Sequence, residues 1–154
     1  MKIYFCGSIM GGRANLSLYK EIISFCKNYG EVLTEHISYD ENALLSDNGT
    51  LLEKGKVITP EYIYERDVNW MKEADVVIAE VSTPSLGVGY EIRLAEEFKK
   101  PIICFFKKTD GNVLTKKLSS LIKGNKNLKI IEYEDMPQIK EHIKVFLSNF
   151  GANG

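Results

Sequence analysis

Five short apolar runs alternate with longer segments of helical period along the whole chain. Apart from Lys129 in the last one, the runs are continuously apolar, which is typical of parallel strands covered by helices on both faces. The runs are residues 3–6, 32–33, 76–79, 102–106 and 128–131. They predict an α/β fold, a single-domain doubly wound (Rossmann-like or flavodoxin-like) five-stranded parallel sheet with helices on both faces. We expect this domain to occupy residues 1–150 and a short tail to occupy residues 151–154.

Four helices are predicted between and after these runs. The first has an apolar stripe through residues 19–26, and Gly30 stands where a helix C-terminus is expected. The second opens with an N-cap and a first-position proline, Thr59-Pro60, and extends to about residue 72. The third covers about residues 87–99, and the last about residues 137–150.

Residues 37–58 fit neither the helical nor the strand period. The segment contains Ser46-Asp47-Asn48-Gly49, which is typical of turns. It predicts a long loop. Loops of this length in compact domains often serve as lids or binding loops, and a functionless excursion is the alternative.

Composition and charge narrow the functional class. The 20 basic and 21 acidic side chains nearly cancel, so we expect neither a nucleic acid polymer nor a membrane as partner. The three cysteines, Cys6, Cys26 and Cys104, are odd in number and lack metal-binding spacing. They predict reduced thiols in a cytoplasmic protein, or also a nuclear one if the source is a eukaryote, without a dedicated metal site.

Two carboxylates occupy positions where the helical period expects core residues. The predicted stripes are Ile63, Asp67, Trp70 and Met71 in the second helix and Glu91, Leu94, Ala95 and Phe98 in the third. A carboxylate facing a core is costly unless it is paired or protonated, which is also how catalytic carboxyls acquire shifted pKa values. The alternative is that both are boundary residues reaching solvent.

Two glycine-containing turns are expected at the same edge of the sheet. One follows the third strand, where Ser85, Gly87 and Gly89 precede Glu91, and the other places Ser8 after the first strand. Backbone amides at a strand–turn–helix junction often receive a phosphate. The two glycines lack the third member of a dinucleotide fingerprint, so ordinary turns whose serines bond their own backbone are the alternative.

A thiol-based site is a second possibility. Cys6 and His36 could serve as nucleophile and base, although a buried strand cysteine acting as a small hydrophobe is the simpler interpretation. His36 follows the second strand, and we expect it at the edge of the site, in contact with ligand.

Several segments resemble the nucleoside 2-deoxyribosyltransferase family, in order and with similar spacing, from residue 3 to about residue 133. They are Tyr4-Phe5-Cys6-Gly7-Ser8-Ile9, Val32-Leu33-Thr34-Glu35-His36, Asp67, Ala74-Asp75-Val76-Val77 and Pro84-Ser85-Leu86-Gly87-Val88-Gly89-Tyr90-Glu91. The string that ends in Glu91 is the most specific. The likeness is greatest to the hydrolases of this family.

The resemblance implies hydrolysis of the N-glycosidic bond of 2'-deoxynucleoside 5'-monophosphates to free base and 2-deoxyribose 5-phosphate, without a cofactor. It implies that Glu91 is the nucleophile and forms a covalent glycosyl intermediate, that Asp67 is the acid assisting departure of the base, and that Tyr4 orients Glu91. The alternatives are base exchange by a deoxyribosyltransferase, a ribonucleotide N-glycosidase, and a nucleotide-binding domain without catalysis.

The resemblance also implies a set of substrate-binding residues. They are Gly7, Ser8, Ile9, His36, Ser85, Gly87, Gly89 and Thr115. Family members that act on free nucleosides carry an aspartate at the position of Ser85, where it would repel a 5'-phosphate. Thr115 matches a hydroxyl residue that reaches the phosphate across a homodimer interface. Met10 departs from the pattern, because it replaces an arginine and removes a cationic phosphate contact.

Overall fold

The computed structural model describes residues 1–9, 15–38, 52–53, 56–108 and 118–151. Its strands, in chain order, are β1 (Lys2–Cys6), β2 (Glu31–Val32), β3 (Leu52–Glu53), β4 (Lys56–Val57), β5 (Val76–Glu80), β6 (Ile102–Lys107) and β7 (Lys129–Tyr133). Five of them form one parallel sheet in the order β2-β1-β5-β6-β7. The predicted five-stranded parallel sheet is therefore confirmed.

The winding of this sheet reverses between β1 and β5. In doubly wound folds, ligands bind outside the strand carboxyl ends at such a reversal. Cys6 of β1 lies opposite Ala79 of β5. The segments that follow these two strands therefore leave the sheet side by side, and the rim they form is where a site is expected.

The helices lie where the sequence predicts them, apart from one extra turn. They are α1 (Leu16–Cys26), α2 (Pro60–Glu73), α3 (Leu86–Glu97), α4 (Ser120–Lys123) and α5 (Met136–Ser148). Thr59 caps α2 as predicted, because its hydroxyl accepts from the Tyr62 amide at 3.2 Å. In the described part of the chain, every helix is too short or too polar to cross a membrane.

Gly30 does not cap α1, which already ends at Cys26. A glycine is nevertheless needed there, because a Cβ at this position would lie 2.1 Å from the carbonyl oxygen of Met1. The glycine lets the chain entering β2 pass closely over the start of β1. The glycine does mark a special backbone position, but the contact that requires it is with Met1, a residue distant in the sequence.

Alternate side chains of β1 enter different helical layers. Ile3 and Phe5 pack among buried residues of α1 and α5, whereas Tyr4 and Cys6 pack among those of α2 and α3. This follows from the two-residue period of a strand. It places the Tyr4 side chain in the layer that contains both candidate carboxylates.

The predicted loop over residues 37–58 contains more regular structure than expected. A single 3-10 turn, Glu35–Ser38, covers its start, and β3 and β4 pair as a short antiparallel ribbon near its end. Strands of two residues are too short to display alternation in the sequence. Loop residues 39–51, which include Ser46 to Gly49, and residues 54–55 lie outside the described part of the chain, as do Met10, Thr115 and residues 152–154.

Candidate active site

Tyr4 and Glu91 form the central contact of the site. The Tyr4 hydroxyl donates to Glu91 Oε1 at 2.7 Å, from a phenol that is itself buried. Burial raises the pKa of Glu91 to about 7, the hydrogen bond from Tyr4 acts against this, and the charge of Asp67 adds to it. Burial and the two carboxylates raise the pKa of Tyr4 far above its ordinary value. The phenol therefore stays protonated and remains a donor.

Glu91 lies beside the core stripe of α3 and not on it. The fully buried residues of this helix are Val88, Ile92 and Ala95, whereas Glu91 and Leu94 are only partly buried. The predicted stripe is thus rotated by about one position. The rotation turns Glu91 toward α2, so the carboxyl is desolvated by the protein yet still reachable from the rim.

Asp67 lies on the half-buried side of α2, close enough for its charge to act on both Glu91 and Tyr4. Its Oδ1 accepts from Arg66 Nε at 2.9 Å, and the two side chains are 26% and 9% exposed. A guanidinium at this distance favours the ionised carboxylate. The two carboxyls occupy contrasting environments, because burial raises the pKa of Glu91, the proposed nucleophile, whereas Asp67, the proposed acid, lies beside a guanidinium.

Arg66 links Asp67 to His36, a connection that the sequence analysis missed. The Arg66 guanidinium carbon lies 4.5 Å from the centre of the Trp70 ring, and a terminal nitrogen lies 3.3 Å from His36 Nε2. The His36 and Trp70 rings are 5.7 Å apart. Adjacent helical residues do not normally face each other, so periodicity gives no sign that Arg66 and Asp67 interact.

His36 is brought to the rim by a buried threonine. The Thr34 hydroxyl donates to the Phe5 carbonyl at 2.6 Å and accepts from the Phe5 amide at 2.9 Å. These bonds continue the pairing of β1 with β2 beyond the end of β2. The 3-10 turn that carries His36 therefore starts beside the carboxyl end of β1, which agrees with the expected place of His36 at the edge of the site.

The first turn of α3 is open on its glycine side. A Cβ at Gly89 would meet no atom within 4 Å, and one at Gly87 would meet only Ser85 Oγ at 3.7 Å. Ser85 caps the helix, since its Oγ accepts from the Val88 amide at 3.3 Å, and its own proton can still be donated. Gly87 and Glu91 are four positions apart on one helix face, a rise of about 6 Å, so a ligand at this turn lies about one helical turn from the Glu91 position.

The turn after β1 is packed more tightly. Ser8 is fully buried and Ile9 is partly buried. A Cβ at Gly7 would lie 2.9 Å from Cζ of Tyr19, so this glycine lets the Tyr19 ring approach the backbone. Contacts of these residues with a phosphate stay predictions, and of the two serines Ser85 is the accessible one.

The buried carboxyl of Glu80, which was not predicted from the sequence, links the ends of neighbouring strands beneath the rim. Its Oε1 accepts from the hydroxyl and the amide of Ser82 and from the Tyr133 hydroxyl at 3.1 Å. Ser82 Oγ in turn accepts from the Lys107 amide at 2.7 Å. These bonds join the ends of β5, β6 and β7 and support the turn that leads to Ser85.

A cleft of about 980 Å³ opens along α3 and α4. Ser85 and Gly89 line it, but none of the three candidate catalytic residues does. At its border Leu86 and Leu121 are 96% and 86% exposed. Exposed apolar side chains of this size around a cleft are typical of an interaction surface. The cleft therefore meets the candidate site only at the first turn of α3.

The three cysteines do not form a reactive site. All are buried and free of disulfides. Burial raises the pKa of Cys26 and of Cys104 to about 12 and that of Cys6 well above its ordinary value. A protonated thiol is a poor nucleophile, which argues against the Cys6–His36 alternative. The described residues contain no group of three or more His, Cys, Asp or Glu side chains suited to a metal ion.

Curated relatives are similar in sequence over most of the length of this chain. A protein of Nematostella vectensis, provisionally named 2'-deoxynucleoside 5'-phosphate N-hydrolase 1, is 47% identical over 143 residues, which cover 90% of both chains. The 5-hydroxymethyl-dUMP N-hydrolase of Tetraodon nigroviridis is 39% identical over 153 residues and 99% of both chains. The enzyme of that name from Homo sapiens is 41% identical over 133 residues, 86% of this chain and 72% of its own.

A solved structure and a family model complete the comparison. The CMP N-glycosidase of Clostridium botulinum superposes with a TM-score of 0.63 over 94% of this chain and 99% of its own. At 19% identity this likeness supports the fold alone. The family model described as nucleoside 2-deoxyribosyltransferase matches residues 3–136. Together with the identities of the curated relatives, this match establishes that the chain belongs to the nucleoside 2-deoxyribosyltransferase family.

Proposed function

We propose that this protein hydrolyses the N-glycosidic bond of 2'-deoxynucleoside 5'-monophosphates to free base and 2-deoxyribose 5-phosphate. The proposal is carried by the Tyr4–Glu91 pair, a desolvated carboxyl held by a buried phenol within reach of the charge of Asp67. This pair lies at the rim where doubly wound folds bind ligands. Relatives named as N-hydrolases of such nucleotides, at 39–47% identity, support the same substrate class.

The two carboxyls account for both halves of the reaction. The Glu91 carboxylate attacks C1' while the bond from C1' to the base nitrogen breaks and its electron pair stays on the base. Asp67 gives a proton to the departing base. Water then opens the glycosyl ester on Glu91, its hydroxyl going to C1' and its proton to Asp67, which restores both groups. Tyr4 keeps Glu91 oriented throughout.

The proton must change places when substrate binds. In the free site below about pH 7 it is held by Glu91, whose pKa is about 7, while Asp67 faces Arg66. Attack on C1' needs Glu91 ionised and a proton on the base side. The active enzyme is therefore the form with one proton shared by the two carboxyls. This form is lost as the pH rises above about 7, because the proton leaves Glu91.

The 5'-phosphate is proposed to bind at the first turn of α3. There the Ser85 hydroxyl can donate, and the amides of Leu86 and Gly87 have no acceptor within the helix. The open space beside Gly87 and Gly89 lets a ligand approach the backbone. Ser8 joins this contact if the turn after β1 opens.

We further propose a homodimer in which the partner covers the cleft and supplies its Thr115 to the phosphate. The exposed Leu86 and Leu121 beside Ser85 support it. Mixing the variants E91Q and T115A tests this arrangement. A mixed dimer contains one subunit with an intact Glu91 that receives a partner's Thr115, so activity returns above that of either variant. No recovery after subunit exchange would refute it.

The activity itself is tested with a substrate panel. The protein is incubated with 5-hydroxymethyl-dUMP, dGMP, deoxyguanosine and CMP, and free base is followed by chromatography. We expect release from the two deoxynucleotides, loss of turnover in E91Q, and unchanged turnover in the matched control E97Q, whose carboxyl is exposed on the same helix.

Other outcomes select the alternatives. Cleavage of deoxyguanosine alone would refute the phosphate site, and equal cleavage of CMP would refute the preference for deoxyribose. Base exchange faster than hydrolysis after addition of a second free base would identify a transferase. Binding of dGMP without product would identify a non-catalytic domain.

A further inference from the structure

Arg66 is a nearly buried cation that the mechanism above does not use. Its side chain is 9% exposed and contacts the Asp67 carboxylate, His36 Nε2 and the Trp70 ring, and its guanidinium carbon lies 5.7 Å from the Tyr62 ring centre. Burying a guanidinium is unfavourable unless its donors and charge are matched. Its neighbours here include two residues assigned to the site, which points to a role in that site.

The packing of Arg66 fixes the direction of its donors. Trp70 follows it by four positions on α2, so the ring and the guanidinium lie on the same helix face. Stacking on an aromatic ring restrains the plane of a guanidinium. With the plane restrained, Nε is directed at Asp67 and a terminal nitrogen at His36. A lysine could supply the charge but not this rigid pair of directions.

The contact also sets the proton on His36. A guanidinium has donors and no acceptor, so His36 Nε2 must accept the hydrogen bond at 3.3 Å. The ring proton is then on Nδ1, which is the tautomer that free histidine disfavours. Arg66 therefore determines which nitrogen of His36 is a donor.

We propose that Arg66 is a positioning residue for departure of the base, acting through Asp67 and His36. It holds the Asp67 carboxyl in the orientation from which the base is protonated, and it keeps His36 neutral with its proton on Nδ1. The kinetic part of this inference rests on the proposed hydrolase function, while the part on His36 does not.

The kinetic test compares two leaving groups that differ by one fluorine atom. The 5-fluorouracil anion leaves more readily than the uracil anion and needs less help from an acid. Because loss of acid catalysis affects the poorer leaving group more, R66Q should lower kcat/KM by about 10- to 100-fold on dUMP and at least about threefold less on 5-fluoro-dUMP. An equal loss on both nucleotides would overturn the proposal, since a purely structural role affects both alike.

A matched control exists on the opposite face of the sheet. Lys140 of α5 also combines an ion pair, with Glu21 at 2.6 Å, and an aromatic contact, with Phe25 at 5.9 Å. K140Q should leave kcat/KM unchanged on both nucleotides. R66K, which keeps the charge without the planar fork, should show the same pattern as R66Q to a smaller extent. It replaces R66Q in both tests if that variant does not fold.

The second measurement needs no substrate. The sequence has two histidines, so nitrogen NMR of protein labelled on histidine gives two ring patterns, and H36Q identifies that of His36. We expect the Nδ1–H form in the wild type and a shift toward the Nε2–H form in R66Q, with His142 unchanged. A wild-type His36 in the Nε2–H form would refute the proposal. If the wild type cleaves neither nucleotide, the hydrolase proposal fails, but this measurement still decides whether Arg66 controls His36.

Discussion

Replacing Tyr4 by phenylalanine isolates the interaction that controls the charge of Glu91. The substitution removes one hydroxyl, which donates to Glu91 Oε1 at 2.7 Å, and leaves the buried ring in place. A hydrogen bond to a charged group is worth about 1.5–3 kcal/mol, and each pKa unit corresponds to about 1.36 kcal/mol. Because the lost bond stabilises the ionised form, Y4F should raise the pKa of Glu91 from about 7 to roughly 8 or 9.

Carbon NMR of protein labelled at the glutamate carboxyl carbon measures this shift directly. The resonance missing from E91Q identifies Glu91, and its position is followed from acidic to alkaline pH in the wild type and in Y4F. A second phenylalanine variant at a distant hydroxyl, Y29F, controls for general effects. An unchanged Glu91 pKa in Y4F, or a lowered one, would refute the reasoning.

The same shift predicts a loss of ionised nucleophile. At pH 7 about half of the wild-type Glu91 is ionised, whereas a pKa of roughly 8 or 9 leaves about one in ten to one in a hundred. Where ionisation of Glu91 limits the reaction, turnover at pH 7 should fall by about 5- to 50-fold. Thermal unfolding of both proteins checks that the loss does not come from a destabilised core.

Three further predictions follow from the site. The kcat/KM of dUMP hydrolysis should fall above about pH 7, because the proton needed by the base leaves Glu91; a rise through this pH would refute the one-proton form. S85D keeps the helix cap but should shift preference from dGMP to deoxyguanosine by at least about 100-fold, through repulsion of the phosphate; an unchanged ratio of the two kcat/KM values would contradict the phosphate site. G7A should lower the free energy of unfolding by about 1–3 kcal/mol, because its Cβ meets the Tyr19 ring. G89A places its Cβ in open space, so it should leave the free energy of unfolding equal or higher and raise KM. Equal denaturation midpoints for the two variants would count against this packing.

Local sequence patterns predict the strands well and the buried face of a helix less well. Each of the five sheet strands lies within a residue or two of its predicted bounds, because strands covered on both faces are rich in apolar residues. The core stripe of α3 was predicted about one position away from the true one. A half-buried helix has two plausible apolar stripes, and only the helix packed beside it decides between them. Here α2 takes the side that Glu91 and Leu94 face.

Some residues of the candidate site could be predicted from the sequence, and others could not. The carboxylates were singled out because an acid on a predicted apolar stripe is locally conspicuous, and the rim was predicted because parallel strands end at one edge. Arg66 and Glu80 were missed because nothing within a few residues of either marks it. Their partners, His36 for Arg66 and Tyr133 for Glu80, come from distant parts of the chain.

The sequence by itself determined the fold class, and it predicted one edge of the sheet and two acids as the candidate site. These predictions depend on the periodicity of apolar residues and on the order of strands and helices along the chain, which can be read directly from the sequence. Only the tertiary structure decided which groups touch and that the pKa of Glu91 is raised. Tyr4 and Glu91 lie 87 positions apart in the chain, and the raised pKa of Glu91 arises from burial and from the charge of Asp67 on another helix. Desolvation and charge are set by everything that surrounds a carboxyl in space, so no stretch of sequence contains them.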